Sequence, residues 1–178
     1  MSEEETMTSG ALRLMLLVAA INLWGAVGAT ARAEEGNPAA LAAAMKSASA
    51  TLQGGLRVSE AQGTPISAKF EIEDGKLQLS IYTMKGSDFM EIVADPRTGA
   101  VSKAEKITDA DDLKEAAAQK AAMAKAKVPL LTAAEKAVSE NAGSRAVSIV
   151  PELKNGQATA EVTLLTGDAF KKVTEKLD

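Results

Sequence analysis

Residues 66–101 read ISAKFEIEDGKLQLSIYTMKGSDFMEIVADPRTGAV, and the rest of the chain is organised around them. Ile66, Ala68, Phe70 and Ile72 alternate with Ser67, Lys69, Glu71 and Glu73. A period of two predicts a strand with one buried and one solvated face. Asp74-Gly75 then predicts a two-residue hairpin turn, because glycine accepts positive φ without steric cost. A second strand follows over Lys76–Met84, with Leu77, Leu79 and Ile81 inward. Lys85–Asp88, containing Gly86, turns again into a third strand over Phe89–Ala94. Asp95-Pro96-Arg97-Thr98-Gly99 is turn chemistry, with Pro presetting φ and Gly taking the left-handed position. Ala100–Ala104 fits a short closing strand.

A second version of this pattern lies 81 residues further on, with predicted strands over Ala146–Leu153, Gln157–Leu165 and Ala169–Glu175. Asn155-Gly156 stands where Asp74-Gly75 stood, Gly167 where Gly86 stood, and Phe170 where Phe89 stood. One ungapped offset relates all these pairs, so the chain reads as a tandem repeat. Pro151 falls inside the first strand of the second copy and should sit at an edge or a bulge there, because proline cannot donate to a ladder.

Helical segments precede and separate the copies. Asn37-Pro38 has the form of an N-cap followed by proline at the first helical position. The alanine-rich stretch from Ala39 to Gln53 continues it, Thr51 can restart the helix, and Gly54-Gly55 weakens it. The segment Asp109–Lys127 predicts a connecting helix capped by Thr108 or Asp109, with Leu113, Ala117, Ala121 and Ala124 as its apolar stripe. Acids at its start and lysines at its end suit the helix dipole. Thr132-Ala133-Ala134-Glu135 has the form of a capping box for a last helix ending near Asn141. The fold expected is α+β: two repeats, each a helix packed on a small three-stranded antiparallel sheet, joined by an Ala-rich helix. The boundaries are 34–107 for the first repeat, 108–128 for the connecting helix and 129–178 for the second repeat.

The first copy resembles the PepSY domain family. The likeness rests on the Glu71-Ile72-Glu73-Asp74-Gly75 hairpin, Tyr82 in the second strand, and Ile92-Val93-Ala94-Asp95-Pro96-Arg97-Thr98-Gly99-Ala100-Val101, which looks like the family's strand ending in Asp-x-x-Thr-Gly-x-Val. The likeness spans Thr51–Val101 and more weakly Thr132–Asp178, where Thr163 replaces the tyrosine and no Thr-Gly turn follows. That family occurs in propeptides of secreted thermolysin-like peptidases and in exported proteins, and has been suggested to restrain peptidases. The resemblance implies an exported, non-catalytic binding or regulatory module.

Composition prunes the alternatives. The chain has 178 residues, no histidine, no cysteine and a net charge of −4. A Ser-His-Asp triad, His- or Cys-bound zinc, thiol chemistry and disulfides are thereby excluded. The negative charge argues against nucleic acid. No catalytic, cofactor-binding or metal-binding residue is assigned, and no cofactor is expected. Leu14–Gly28 is an apolar run of signal-segment length, and Ala31-Arg32-Ala33 is a small-x-small cleavage pattern. The reading is a signal peptide over 1–33 cut before Glu34, with membrane contact only through that segment. An uncleaved anchor is the alternative. The acidic opening MSEEETM is unlike a signal start, and initiation at Met7 would remove it.

Four groups stand out as candidate sites. Glu71, Glu73 and Asp74 read as a solvated strand face before they read as a cation site. Asp95 and Thr98 read as a turn bonding to itself. Tyr82 is either a recognition residue or a strand former packing across the sheet. Lys120, Lys125 and Lys127 are either a wet helix end or a contact for an acidic surface. The expected role is binding another exported protein, one version being a secreted peptidase, through exposed sheet faces or edges. The alternative is a structural or small-ligand-binding envelope protein.

Overall fold

The computed structural model describes residues 37–178. The proposed signal segment and the two candidate start codons lie outside these residues. Helix α1 (Pro38–Met45) opens with Asn37 as N-cap, its side chain accepting from the Ala39 and Ala40 amides. Helix α2 (Leu52–Ser59) follows, capped by Thr51, whose hydroxyl accepts from the Gly54 amide at 3.0 Å. Strands β1 (Thr64–Glu73), β2 (Lys76–Lys85), β3 (Asp88–Ala94) and β4 (Val101–Lys106) then form a meander. Helices α3 (Ala110–Met123) and α4 (Leu130–Glu140) lead into β5 (Arg145–Lys154), β6 (Gln157–Thr166) and β7 (Ala169–Lys176). Both hairpin turns form as their sequence demands: Asp74 and Gly75 have φ of 50° and 74°, and Asn155 and Gly156 have 53° and 82°.

The expectation of two separate three-stranded sheets is overturned. All seven strands form one antiparallel sheet in the order β4-β3-β2-β1-β5-β6-β7. The first strands of the two halves pair with each other, Ala68 opposite Ile149 and Lys69 opposite Ser148. Ala68 and Ile149 are themselves 81 residues apart, so the seam lies on a local two-fold axis. Physically, each half alone would leave the outer edge of its first strand with unpaired amides and carbonyls. Pairing at Ala68–Ile149 and Lys69–Ser148 satisfies part of both edges and lets one core run across the seam. The first half also carries a fourth strand, β4.

Three helices, α1, α2 and α4, cover one face. A single apolar core joins the halves there, with Met45, Leu52, Leu56, Phe70, Leu79, Ile81, Ile92, Leu130, Ile149, Val162 and Leu164 all buried. Gly55 is where α2 meets the sheet, since a Cβ there would lie 2.6 Å from Leu79 Cδ2. Arg145 of β5 ties the α1–α2 connection to the second half. Its guanidinium donates to the carbonyls of Met45, Ala48 and Ala50 at 3.1, 3.0 and 2.8 Å and lies 5.8 Å from the Phe70 ring centre. Arg57 of α2 pairs with Glu135 of α4.

Local expectations fail at four places. A bulge between Pro65 and Ser67 puts Ile66 in a different cluster from Ala68, beside Tyr82, Phe89, Ile107 and Ala116. A matching bulge lies between Ala146 and Ser148. Helix α4 starts two residues before Thr132, with Pro129 in the N-cap position and no side-chain cap. There the buried Leu130 and the Val128 amide, bonded to the Leu177 carbonyl at 2.9 Å, fix the start. Pro151 sits in an interior strand, two residues past the last β1–β5 pair, so its missing N–H falls outside that ladder. Finally, α3 buries Asp112, Ala116, Gln119 and Ala122, whereas Ala117, Ala121 and Ala124 face outward.

Candidate functional site

Among the described residues, the face of the sheet opposite the three helices is covered in its middle by α3, and beside the small apolar cluster around Ile66 and Phe89 it carries a row of polar side chains. Alternation sends Ser67, Lys69 and Glu71 of β1 to this face. The register then places Tyr82 opposite Ser67, Ser80 opposite Lys69, Gln78 opposite Glu71, and Glu91 opposite Tyr82. Directly opposed side chains share a face, so these groups meet.

They form a connected network. The Ser67 hydroxyl donates to Gln119 Oε1 of α3 at 2.8 Å, which accounts for the glutamine on the buried side of that helix. Tyr82 is buried, with 6% of its surface exposed; its hydroxyl donates to Glu91 Oε1 at 3.3 Å, and Lys69 Nζ lies 5.9 Å from its ring centre. Lys69 pairs with Glu71 at 2.6 Å. Gln78 Nε2 donates to Glu73 and, at 2.9 Å, to Ser80 Oγ. One carboxylate oxygen each from Glu71, Glu73 and Glu91 lie within 4.8 Å of one another.

The electrostatics follow from this crowding. Burial, then the Glu71 charge, raises the Glu91 pKa above the usual carboxylate value, opposed by a hydrogen bond from Ser80. Burial, then the charges of Glu91, Glu71 and Asp112, pushes the Tyr82 phenol well above its ordinary range, so it stays an O–H donor. The three carboxylates have the donor chemistry to hold a hard cation. Lys69 and Gln78 already satisfy much of the same oxygen surface.

The sequence grouping of Glu71, Glu73 and Asp74 is therefore only partly assembled. Glu91 is the third member, and Asp74 stays in its turn. The signal for Glu91 was its place opposite Tyr82, which requires the β2–β3 register. Tyr82 packs beneath α3 rather than facing a partner. Asp95 bonds its own turn, its Oδ1 accepting from the Arg97 amide at 3.0 Å, the Thr98 amide at 2.7 Å and the Thr98 hydroxyl at 2.9 Å. Those bonds, Thr98 first, lower the Asp95 pKa. The three lysines separate: Lys120 Nζ donates to the Gly86 carbonyl at 3.2 Å, Lys125 Nζ to the Gly156 carbonyl at 3.3 Å, and Lys127 lines a groove at the end of the sheet.

A second feature lies on the other flank of α3. A groove of about 450 Å³ runs between the helix and β5–β6, lined by Ala118 and Ala121 of α3, by Val150 and Leu153, and by Glu115, Glu152 and Glu161. Leu153 is 41% exposed, one of the few large apolar side chains on the described surface.

No known protein family, curated protein or solved structure matches this chain. No described helix is long and apolar enough to cross a membrane.

Proposed function

We propose that this chain is an exported, non-catalytic binding module whose partner is another protein, docked on the outward side of α3 and in the groove beside it. One observation carries the reading. Ala117, Ala118, Ala121 and Ala124 are exposed together, where a solvated helix face ordinarily carries charge, and two of them continue into the groove with Val150 and Leu153. Exposed apolar surface of this kind marks interaction sites. Methyl-sized side chains also allow a partner backbone to come close to the helix. Glu115, Glu152 and Glu161 line the same groove, with Glu152 paired to Lys154 at 3.4 Å and Glu161 to Lys172 at 2.7 Å, so its apolar surface is what a partner would cover. Helix α3 packs on both β1 and β5, so this surface depends on the joined sheet. The PepSY resemblance and the apolar run at Leu14–Gly28 support export and a regulatory role. Restraint of a secreted peptidase is one form of it.

The test is affinity capture from the producing cell's envelope and medium with two baits, the wild type and Ala121→Arg. A discrete protein held by the wild type and lost with Ala121→Arg, at unchanged circular dichroism and melting temperature, is the expected result. Identical capture by both baits contradicts the assignment. If the captured protein is a peptidase, added wild-type chain should inhibit it saturably and Ala121→Arg should not.

A further inference from the structure

Independently of the α3 surface, we propose that the groove at the far end of the sheet binds a long-chain carboxylate, an acyl chain in the groove with its anionic head between Lys85 and Lys127. The groove opens where the end of α2, the β1 and β2 ends, and the α3–α4 connection converge, and its volume is about 670 Å³. That is within the usual size of small-molecule sites, roughly 300–1,000 Å³.

Its lining is divided between apolar surface and charge. Pro65, Met84, Met123, Val128 and Leu131 supply apolar wall. Two of these are methionines, whose flexible, polarisable side chains adapt to an irregular or mobile apolar ligand. Lys85 and Lys127 also line the groove, and neither makes an ion pair or a side-chain hydrogen bond within the described residues. A third cation stands at the same end, since Lys120 Nζ is anchored on the carbonyl of Gly86, itself a lining residue. Glu60 is the one carboxylate in the lining among the described residues. The local balance is positive although the chain is negative overall, with a net charge of −4.

Apolar walls with unpaired ammonium groups at the rim complement an amphipathic anion. Each further methylene buried in the groove strengthens binding. The carboxylate head gains charge-assisted hydrogen bonds that a neutral head of the same length does not. Chain length should therefore set affinity, and the head should set preference.

The experiment is isothermal titration of the protein, purified in the form the expressing cell yields, with dodecanoate below its micelle concentration and with dodecanol as the uncharged equivalent. Dodecanoate should bind saturably at one per chain and about tenfold or more tighter than dodecanol. Lys85→Gln/Lys127→Gln, both exposed positions, should abolish that preference. Leu131→Gln should weaken both ligands. Ala121→Arg, on the α3 surface, should leave dodecanoate affinity unchanged. Absence of dodecanoate binding, equal binding of dodecanol, or an unaltered preference in the double lysine variant would overturn the proposal. So would loss of binding in Ala121→Arg.

Discussion

The two halves of this sheet share a backbone plan and differ in what they place on it. Strand β1 maps onto β5, β2 onto β6, and β3 onto most of β7 under one offset, bulges and positive-φ turns included. On the face covered by three helices the equivalent residues keep their apolar character: Ala68 and Ile149, Leu79 and Ala160, Ile81 and Val162 are all buried. On the α3 face they diverge. Tyr82 has Thr163 as its counterpart, and Glu91 has Lys172. Lys172 therefore pairs with Glu161 at 2.7 Å, whereas Glu91 joins Glu71 and Glu73 in a crowd of three carboxylates, of which Glu71 is paired with Lys69 at 2.6 Å. Burial against helices fixes one face, while the other face is free to acquire different chemistry in each half.

Five substitutions probe this difference between the halves, beginning with the most costly. Ile81→Ala removes a fully buried side chain beside the seam and should cost about 2–5 kcal/mol in urea denaturation. Val162→Ala, its counterpart, removes less and should cost less. Each should shift one common transition, because the core is continuous. Two separate transitions would show that the halves are independent.

Thr83→Val tests the halves at a position where they disagree. The Thr83 hydroxyl is buried with no hydrogen-bond partner among the described residues, and its counterpart is the buried Leu164. Removing an unpaired hydroxyl should stabilise the protein by about 1–2 kcal/mol, read from the denaturation midpoint. A loss of stability would mean that the hydroxyl is paired in solution.

Glu91→Gln tests the crowding. The folded chain binds the Glu91 proton more tightly than the unfolded chain does. Ionised Glu91 thus costs stability above its folded pKa, and the cost fades as pH falls through that value. The variant should melt higher than wild type near neutral pH, and the gap should close on acidification. A gap that does not change with pH would place the effect elsewhere.

The smallest effect is expected in the neutralised half. Lys172→Met removes a half-exposed ion pair and should cost no more than about 1 kcal/mol, diminishing with added salt.

Much of the first half was legible in the sequence because its signals are local. Alternation gave the strand over Ile66–Glu73, Asp74-Gly75 and Asn155-Gly156 gave the turns, and Asn37, Thr51 and Asp109 announced helix starts. The β1–β5 seam was not legible, because pairing between strands 81 residues apart leaves no local mark. Ile66 lies on the face opposite to the one alternation predicts, because a one-residue bulge inverts the pattern. The α3 stripe was misread because alanine gives little contrast between helix faces. The buried face includes Asp112 and Gln119, since the sheet beneath is itself polar. Glu91 was missed for the same reason as the seam: its neighbours come from register, not from sequence.

The most direct test of the joined sheet uses the absence of cysteine. Lys69 and Ser148 face each other across the seam, and opposed residues in an antiparallel pair lie within disulfide range. In the variant Lys69→Cys/Ser148→Cys, mild oxidation should give an intramolecular disulfide in nearly every chain, seen as a faster-migrating monomer on non-reducing gels, with the fold retained. Free thiols after oxidation, or cross-links only between chains, would contradict the single seven-stranded sheet and the α3 surface that rests on it.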